Sequence, residues 1–277
     1  MWLEVKISLP ENLKEPATAV LYSRGCQGIT EEPGLLTAYF PEGADAEAIK
    51  KSLLQFEDVK AEAGRIEEQD WYASWKQTFK PVHAAGLTIC PPWSSSGPDE
   101  GERLLIIDPG QAFGTGDHIT TSTVLELLRE WAKGQDDLAR KRLLDLGTGS
   151  GILSIAAVFF GLKDIVAVDN EVKAIETAKE NFRLNGVEGM IDLRLGSIDR
   201  AGRDYDFIAA NIFRDVLIEI MPQAAQALNP GGLMAASGMM EGQEADVIKK
   251  ATECGLETLR VLPGSGWVSI LFALPAS

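Results

Sequence analysis

The sequence predicts an α/β protein in which a Rossmann-like domain of seven strands follows a small α+β domain of the ferredoxin-like type. Three observations support this fold class. Strand and helix patterns alternate from about residue 141 onward, a glycine-rich turn follows the first of these strands, and only five residues join the last two strands. The length of 277 residues accommodates two domains of unequal size.

Residues 1–65 predict the small domain. Leu3, Val5 and Ile7 alternate with polar residues, as in a half-buried strand. A helical pattern follows over residues 16–25, and residues 29–40 are extended on both sides of a Pro-Gly turn. Residues 44–56 are again helical, and residues 59–66 are again extended. This order of elements is typical of a ferredoxin-like sandwich.

Residues 66–80 predict a helix that links the domains. Trp71, Trp75 and Phe79 are spaced by four residues, which places them on one helical face. A connecting helix packed against a domain explains this face better than a ligand site does. Residues 81–277 are assigned to the larger domain.

Seven apolar segments predict the main strands of the larger domain. They are Leu143–Leu146, Ile165–Val168, Ile191–Leu195, Phe207–Ala210, Leu233–Ser237, Leu256–Val261 and Val268–Ala273. Because helical stretches separate most of them, we expect a mostly parallel sheet with helices on both faces. Residues 262–266 are too few for a crossover helix, so the last two strands are predicted to be antiparallel. Two earlier strands are predicted over Leu87–Cys90 and Leu104–Asp108.

Composition and charge argue against several classes of protein. No run of about 18 apolar residues predicts a transmembrane helix, and the N-terminus lacks the pattern of a signal peptide. The formal net charge of −15 disfavours binding to free nucleic acid. It would attract a basic protein, although acidity that only maintains solubility is the simpler interpretation. Three cysteines without a pairing motif indicate a reducing cytoplasm.

The strongest local signal lies between Asp145 and Ile152. An apolar strand runs into Gly147, Gly149 and Gly151, and a helix follows. Glycine lets a backbone turn sharply and approach a ligand, and the start of the helix offers unpaired N–H groups. The G-x-G-x-G spacing differs from the G-x-G-x-x-G of dinucleotide sites and resembles that of S-adenosylmethionine sites. In that interpretation Asp145 anchors the methionine amino group, directly or through water. A tight turn without a ligand is the alternative.

Two more predicted strands end in polar side chains. Asp169 follows the second strand about 20 residues after the glycines, where a carboxylate can accept hydrogen bonds from both ribose hydroxyls. Asn211 ends the fourth strand, and its carboxamide oxygen could accept a hydrogen bond from an amine and direct the nitrogen lone pair at a methyl group. Each residue could instead cap the helix that follows it.

A resemblance to a known family rests on the segment that precedes the sheet. Phe113-Gly114-Thr115-Gly116, with His118 and Thr120-Thr121, is similar to the F-G-T-G-x-H-x-T-T signature of the ribosomal protein L-eleven methyltransferase (PrmA) family. Further similar elements are Asp70-Trp71, Trp75-Lys76, Phe79-Lys80-Pro81, Asn211-Ile212 and Trp267. The resemblance covers most of residues 70–270.

The resemblance implies a class I S-adenosylmethionine-dependent methyltransferase. It implies that residues 1–65 recognise large-subunit ribosomal protein eleven, free or ribosome-bound, while the larger domain binds S-adenosylmethionine. The methyl acceptors would be lysine side chains and the N-terminal α-amine. The matching positions for cofactor contacts are Thr121, Gly147, Asp169 and Asn211. Asp145, Gly149, Phe113, Gly114 and Thr115 complete the predicted cofactor site, and Asn211 is the predicted catalytic residue.

Some residues depart from the expected patterns or receive no role. Asn211-Ile212-Phe213-Arg214 stands where other amine methyltransferases often have Asn/Asp-Pro-Pro-Tyr. His118 is more often structural than basic at such a position, and His83 has no partner motif. Two histidines and no clustered cysteines predict no metal site. We also expect a monomer that binds neither a membrane nor a specific nucleic acid.

Two other functions stay open at this stage. The chain could be an S-adenosylmethionine-dependent N-methyltransferase that acts on another protein or on a small molecule. It could also be a non-catalytic module that binds the cofactor or a partner only. The combination of Asp145, three glycines, Asp169 and Asn211 argues against this second alternative.

Deletion of residues 1–65 tests the predicted division of labour. We expect the shortened chain to bind S-adenosylmethionine with the affinity of the full chain and to lose protein methylation, because the cofactor residues all lie beyond residue 80. Calorimetry and transfer of a labelled methyl group measure the two properties. Full methylation by the shortened chain would contradict the assignment.

Overall fold

The computed structural model describes residues 2–56, 58–66, 81–108 and 118–276. The chain divides into two compact units, residues 1–80 and residues 81–277. The predicted linker helix, with Trp71, Trp75 and Phe79, lies outside the described residues, as do Phe113, Gly114 and Thr115. No helix within the described ranges is long and apolar enough to cross a membrane.

The first unit has the predicted ferredoxin-like topology. Its elements are β1 (Trp2–Ser8), α1 (Lys14–Ser23), β2 (Gly28–Glu32), β3 (Leu35–Pro41), α2 (Ala46–Leu53) and β4 (Lys60–Ile66). The sheet order is β2-β3-β1-β4, and β1 is antiparallel to both β3 and β4. Val5 and Ile7 of β1 pack with Phe40 of β3 and Leu21 of α1 in one buried core. The alternation of apolar residues in β1 therefore gives this strand a single buried face.

The second unit begins with a small sheet. It contains β5 (Val82–Ala84), β6 (Leu87–Cys90) and β7 (Arg103–Ile106), in the order β5-β6-β7. Strand β6 is antiparallel to β5 and parallel to β7. The predicted strands over Leu87–Cys90 and Leu104–Asp108 are thus partners, which leaves β7 at an edge of this sheet.

The main sheet contains seven strands and agrees with the prediction. They are β8 (Arg142–Leu146), β9 (Asp164–Asp169), β10 (Asp192–Leu195), β11 (Tyr205–Asn211), β12 (Leu228–Met240), β13 (Glu257–Gly264) and β14 (Trp267–Ala273). The order is β10-β9-β8-β11-β12-β14-β13. Strands β8 to β12 are parallel to one another, and β14 is antiparallel to both β12 and β13. The chain order reverses at β8, where open α/β sheets bind their ligands.

In the described part of the second unit, five helices cover the two faces of this sheet. They are α3 (Ile119–Lys133), α4 (Ile152–Phe160), α5 (Val172–Leu184), α6 (Arg214–Ala227) and α7 (Glu244–Glu253). Leu143 packs in one core with residues of α3, α4 and α5, whereas the adjacent Leu144 packs in another core with residues of α6 and α7. Both faces of β8 are therefore buried, which explains its continuous apolar sequence.

Gly238 interrupts the regular pairing of β12 beside the end of β11. The register between β12 and β14 shifts between Ala236 and Met239. Gly238 has φ +92°, and a Cβ atom there would lie 2.5 Å from the carbonyl oxygen of Ile212 and 2.8 Å from its carbonyl carbon. The N–H of Ile212 donates to the carbonyl of Ser237 at 3.0 Å. The backbone that follows Asn211 is thus packed directly against a glycine.

The substitution Gly238→Ala tests this contact. We expect it to lower the free energy of unfolding by about 3 kcal/mol or more, because a positive φ and a backbone clash both oppose the new Cβ. Gly242→Ala is the matched control, since φ is +89° there but no heavy atom lies within 4 Å of the added Cβ. The control should cost about 1–2 kcal/mol. Equal losses in urea unfolding would show that the contact with Ile212 is unimportant.

Candidate functional site

The candidate site lies at the carboxyl ends of β8, β9 and β11. In the parallel register Asp145 lies opposite Ala167 of β9 and Ala209 of β11. Asp169 ends β9, and Asn211 ends β11. Carboxyl ends of parallel strands meet at one edge of the sheet. The fold therefore gathers at this edge the three polar residues that the sequence assigned to the cofactor and the acceptor amine.

The glycine loop turns directly above β8. Gly147, Gly149 and Gly151 all have positive φ angles, 73°, 54° and 82°. The N–H groups of Gly147 and Thr148 both donate to the carbonyl of Val168, at 2.9 and 3.0 Å. A Cβ atom on Gly147 would lie 2.4 Å from Cγ2 of Ile212. Gly147 is therefore required for packing against the segment after β11, a reason that the motif alone did not reveal.

Asp145 is completely buried beneath this loop. Its Oδ2 accepts hydrogen bonds from the Thr148 hydroxyl at 2.7 Å, the Ser154 hydroxyl at 2.6 Å and the Ser154 N–H at 3.1 Å. Its Oδ1 is also buried and has no hydrogen-bond partner in the described part of the chain. Burial raises the pKa of the Asp145 carboxyl to about 6, although the bonds from Ser154 and Thr148 oppose this shift. One oxygen thus holds the loop, and the other is a buried acceptor that no described residue satisfies.

Asp169 connects the glycine loop to the start of α5. Its Oδ2 accepts from the N–H of Gly149 at 2.9 Å, and its Oδ1 accepts from the N–H of Glu171 at 3.0 Å. The N-cap of α5 is Glu171, so Asp169 does not occupy the capping position. An ionised carboxylate has about four lone-pair sites, and these two bonds leave sites open for further donors.

Asn211 is fixed by a residue that is distant in sequence. Its Nδ2 donates to the hydroxyl of Thr121 at 3.1 Å, and Thr121 is buried in the first turn of α3. The Asn211 Oδ1 is buried and has no hydrogen-bond partner among the residues that the structure describes. The N-cap of α6 is Phe213, so Asn211 does not cap that helix. The bond to Thr121 directs the free carbonyl oxygen of the amide.

Both histidines have defined environments. His118 is the N-cap of α3, where its Nδ1 lies 2.7 Å from the Thr120 hydroxyl, and its ring makes an edge contact with Trp267 at 4.7 Å between centroids. His83 Nδ1 lies 2.7 Å from a Glu102 oxygen and 3.5 Å from an Asp99 oxygen. The hydrogen bond to Glu102 raises the pKa of His83. The fold therefore places acidic partners beside His83 that no sequence motif predicted.

Several site residues were absent from the sequence prediction. Thr148 and Ser154 hold Asp145, and Asn181 of α5 binds the glycine loop through a bond from its Nδ2 to the Ser150 carbonyl at 2.8 Å. Thr148 lies inside the motif and could have been suspected as a local donor. Ser154 and Asn181 resemble ordinary helix residues, and only the fold brings them to the site.

Comparisons with known proteins point to one family. The family model described as "Ribosomal protein L11 methyltransferase (PrmA)" matches residues 1–274. A protein of Sorangium cellulosum named ribosomal protein L11 methyltransferase is 33% identical, over 98% of this chain and 95% of its own length. A protein of the same name from Symbiobacterium thermophilum is 39% identical, over 76% of this chain and 67% of its own length.

A solved structure is similar as well. The crystal structure of a ribosomal protein L11 methylase from Lactobacillus delbrueckii subsp. bulgaricus has 28% sequence identity and a TM-score of 0.65. The alignment covers 71% of this chain and all of that one.

The raised pKa of Asp145 predicts how pH affects the ligand-free protein. A carboxyl whose pKa rises from 3.8 to about 6 on folding stabilises the fold below pH 3.8, and this contribution is lost as the pH rises through about 6. Between pH 4 and 8 we expect wild type to lose roughly 2 kcal/mol of stability relative to Asp145→Asn, which cannot ionise. Urea unfolding of both proteins at the two pH values measures this difference. Parallel pH profiles would contradict it.

Proposed function

The chain belongs to the ribosomal protein L11 methyltransferase family, and from this premise we propose that it transfers methyl groups from S-adenosylmethionine to amines of ribosomal protein L11. The acceptor amines would be lysine side chains and the N-terminal α-amine. The observation that carries the proposal is a pair of buried oxygen atoms, Asp145 Oδ1 and Asn211 Oδ1, that have no partner in the described regions. Both lie at the ends of adjacent strands, and both are suited to accept N–H hydrogen bonds.

Asp145 Oδ1 suits the amino group of the cofactor's methionine part. A buried acceptor without a partner is costly, and an ammonium donor, directly or through one water, would remove that cost. The positive charge would also favour the ionised carboxylate, because opposite charges at short distance lower a carboxyl pKa. The cofactor supplies a methyl group that is already activated by a sulfonium.

Asp169 suits the ribose hydroxyls. Its two bonds to Gly149 and Glu171 fix the carboxylate plane beside the glycine loop, and its remaining lone pairs can accept from two hydroxyl groups. A charged acceptor strengthens such bonds. The same side chain thereby shapes the loop and contributes to cofactor affinity.

Asn211 suits the acceptor amine. Because Nδ2 is engaged with Thr121, Oδ1 is available to accept an N–H bond and orient the nitrogen lone pair. A lysine of pKa near 10.4 must first lose its proton, at a cost of about 4–5 kcal/mol at pH 7. Desolvation in the site and the nearby sulfonium both lower that cost. Nδ1 of His118 already caps α3 through its contact with Thr120. We therefore assign no general-base role to His118.

The protein substrate is supported by family membership and is compatible with the charge. A net charge of −15 would attract a basic protein and raise the rate of encounter. We also propose that residues 1–65 recognise the substrate, and that the protein works as a monomer in the cytoplasm, where its three free cysteines would stay reduced. A small-molecule or other protein acceptor is the alternative.

Incubation with labelled S-adenosylmethionine tests the proposal. The full chain is mixed with purified L11 from a strain that lacks this activity, and with small molecules extracted from the same strain. We expect label on L11, at lysine residues and the N-terminus by mass spectrometry. Label only on small molecules would favour the alternative, and no label on any acceptor would refute methyl transfer.

Asn211→Ala should lower the single-turnover rate of methyl transfer to L11 by about 100-fold, the loss typical of removing one preorganised polar group from a reacting centre. Asn229→Ala is the matched control, because Asn229 also donates through its amide but binds the carbonyl of Asp204 away from the site. The control should retain the wild-type rate. Equal rates for Asn211→Ala and wild type would remove Asn211 from the mechanism.

Asp169→Ala should weaken the binding of S-adenosylmethionine by tenfold or more, because a charged hydrogen-bond acceptor is lost. Calorimetry measures the affinity, and thermal unfolding checks that the variant is folded. Asp169→Asn preserves the shape of the side chain and should show how much of the loss depends on charge. Unchanged affinity in the Ala variant would refute contact with the ribose.

A further inference from the structure

Asn181 lies in the last turn of α5 and is completely buried. Its Oδ1 accepts from the N–H of Asp108 at 2.8 Å, and its Nδ2 donates to the carbonyl of Asp108 at 3.1 Å. The same Nδ2 also donates to the carbonyl of Ser150, in the glycine loop, at 2.8 Å. One side-chain amide therefore joins two backbone segments that are 42 residues apart in sequence.

Asn185, one helical turn later, makes a similar pair of bonds to a different residue. Its Oδ1 accepts from the N–H of Ile106 at 2.9 Å, and its Nδ2 donates to the carbonyl of Ile106 at 2.6 Å. The remaining bond of Nδ2 goes to the carbonyl of Asn181, not to the glycine loop. The two asparagines thus bind the end of β7 and the backbone just beyond it, but only Asn181 reaches the glycine loop.

The spacing of the two asparagines matches the strand that they bind. Four residues of helix rise by about 6 Å, and two residues of strand by about 6.7 Å. The amides of Asn181 and Asn185 can therefore meet Asp108 and Ile106 in the manner of a neighbouring strand. The position of Asp108 is consequently set from α5, and through Asn181 it is set relative to Ser150.

We propose that Asn181 is a positioning residue for cofactor binding. Ser150 belongs to the glycine loop, whose Gly147 and Gly149 are assigned to the cofactor under the proposed function, on which this inference rests. Asn181 acts through the backbone. Its two bonds to Asp108 hold the side-chain amide in place, and its bond to the Ser150 carbonyl fixes the glycine loop.

The chemistry of the amide explains why asparagine is needed. The side chain must accept from one N–H and donate to two carbonyls. Aspartate has the same shape but no donor, and it would place a buried charge against two carbonyl oxygens. Alanine would leave all three backbone groups without this partner.

The test compares Asn181→Ala with Asn185→Ala. Both variants lose bonds to the 106–108 backbone, so both should unfold at lower temperature than wild type. Only Asn181→Ala should raise the KM for S-adenosylmethionine and its Kd by calorimetry, by tenfold or more, with kcat at saturation within threefold of wild type. Asn185→Ala should keep both constants within twofold. Unchanged constants in Asn181→Ala, or equal increases in the two variants, would overturn the positioning role.

A measurement on the wild-type protein keeps the proposal testable if Asn181→Ala does not fold. Amide exchange is followed by NMR with and without S-adenosylhomocysteine. Exchange of the Asp108 N–H should slow by fivefold or more when the ligand binds, and that of the Ile106 N–H by less than twofold. If the protein binds the ligand but exchange of the Asp108 N–H is unchanged, the role of Asn181 is overturned and the proposed cofactor stands. Absence of any binding would refute the proposed cofactor as well.

Discussion

The buried carboxyl of Asp145 is the group on which the organisation of the site depends. Its Oδ2 receives one hydroxyl from the glycine loop and a hydroxyl and an N–H from the first turn of α4, so the loop is held at both ends by a single atom. The cost of burying this group appears in its raised pKa. The second oxygen has no partner among the described residues, so a cation bound beside it would lower the cost of burying the charge.

The rest of the site is built from backbone packed closely around that loop. Gly147 and Gly238 each adopt a positive φ and each meet Ile212, one through its side chain and the other through its backbone. Ile212 is therefore confined between two glycines, and the orientation of the preceding Asn211 follows from this confinement and from its bond to Thr121. The geometry of a single amide thus depends on contacts from β8, β12 and α3.

Much of this architecture could be predicted from the sequence, because it depends on local patterns. The seven apolar segments, the short link before β14 and the order of elements in the first unit each report a local preference, and the two sheets confirm them. The full extent of β12 was missed, because Asn229, Pro230, Gly231 and Gly232 suggest a turn although the strand begins at Leu228. The three-residue strand β5 is too short to produce an alternating pattern.

The contacts within the site were less predictable. Asp145 could be identified because it precedes the glycine motif near the end of an apolar strand. Asp169 and Asn211 could be identified because each follows an apolar strand, and strand ends converge in a parallel sheet. The sequence pattern does not contain the distances between residues that are far apart in the chain. It therefore could not predict that Gly147 packs against Ile212 or that Ser154 donates twice to Asp145. The predicted contacts of Phe113, Gly114 and Thr115 and the monomeric state remain predictions.

The amides of Asn181 in α5 and of its C-cap Asn185 also affect how the edge of the small sheet can meet other molecules. Strand β7 lies at the edge of its sheet, where unpaired backbone N–H and C=O groups can form hydrogen bonds with a strand of another chain. At Ile106 those groups are occupied by Asn185, and just beyond the strand the groups of Asp108 are occupied by Asn181. Two side chains therefore occupy the backbone groups at this end of the edge, which leaves fewer of them open to a strand from another molecule.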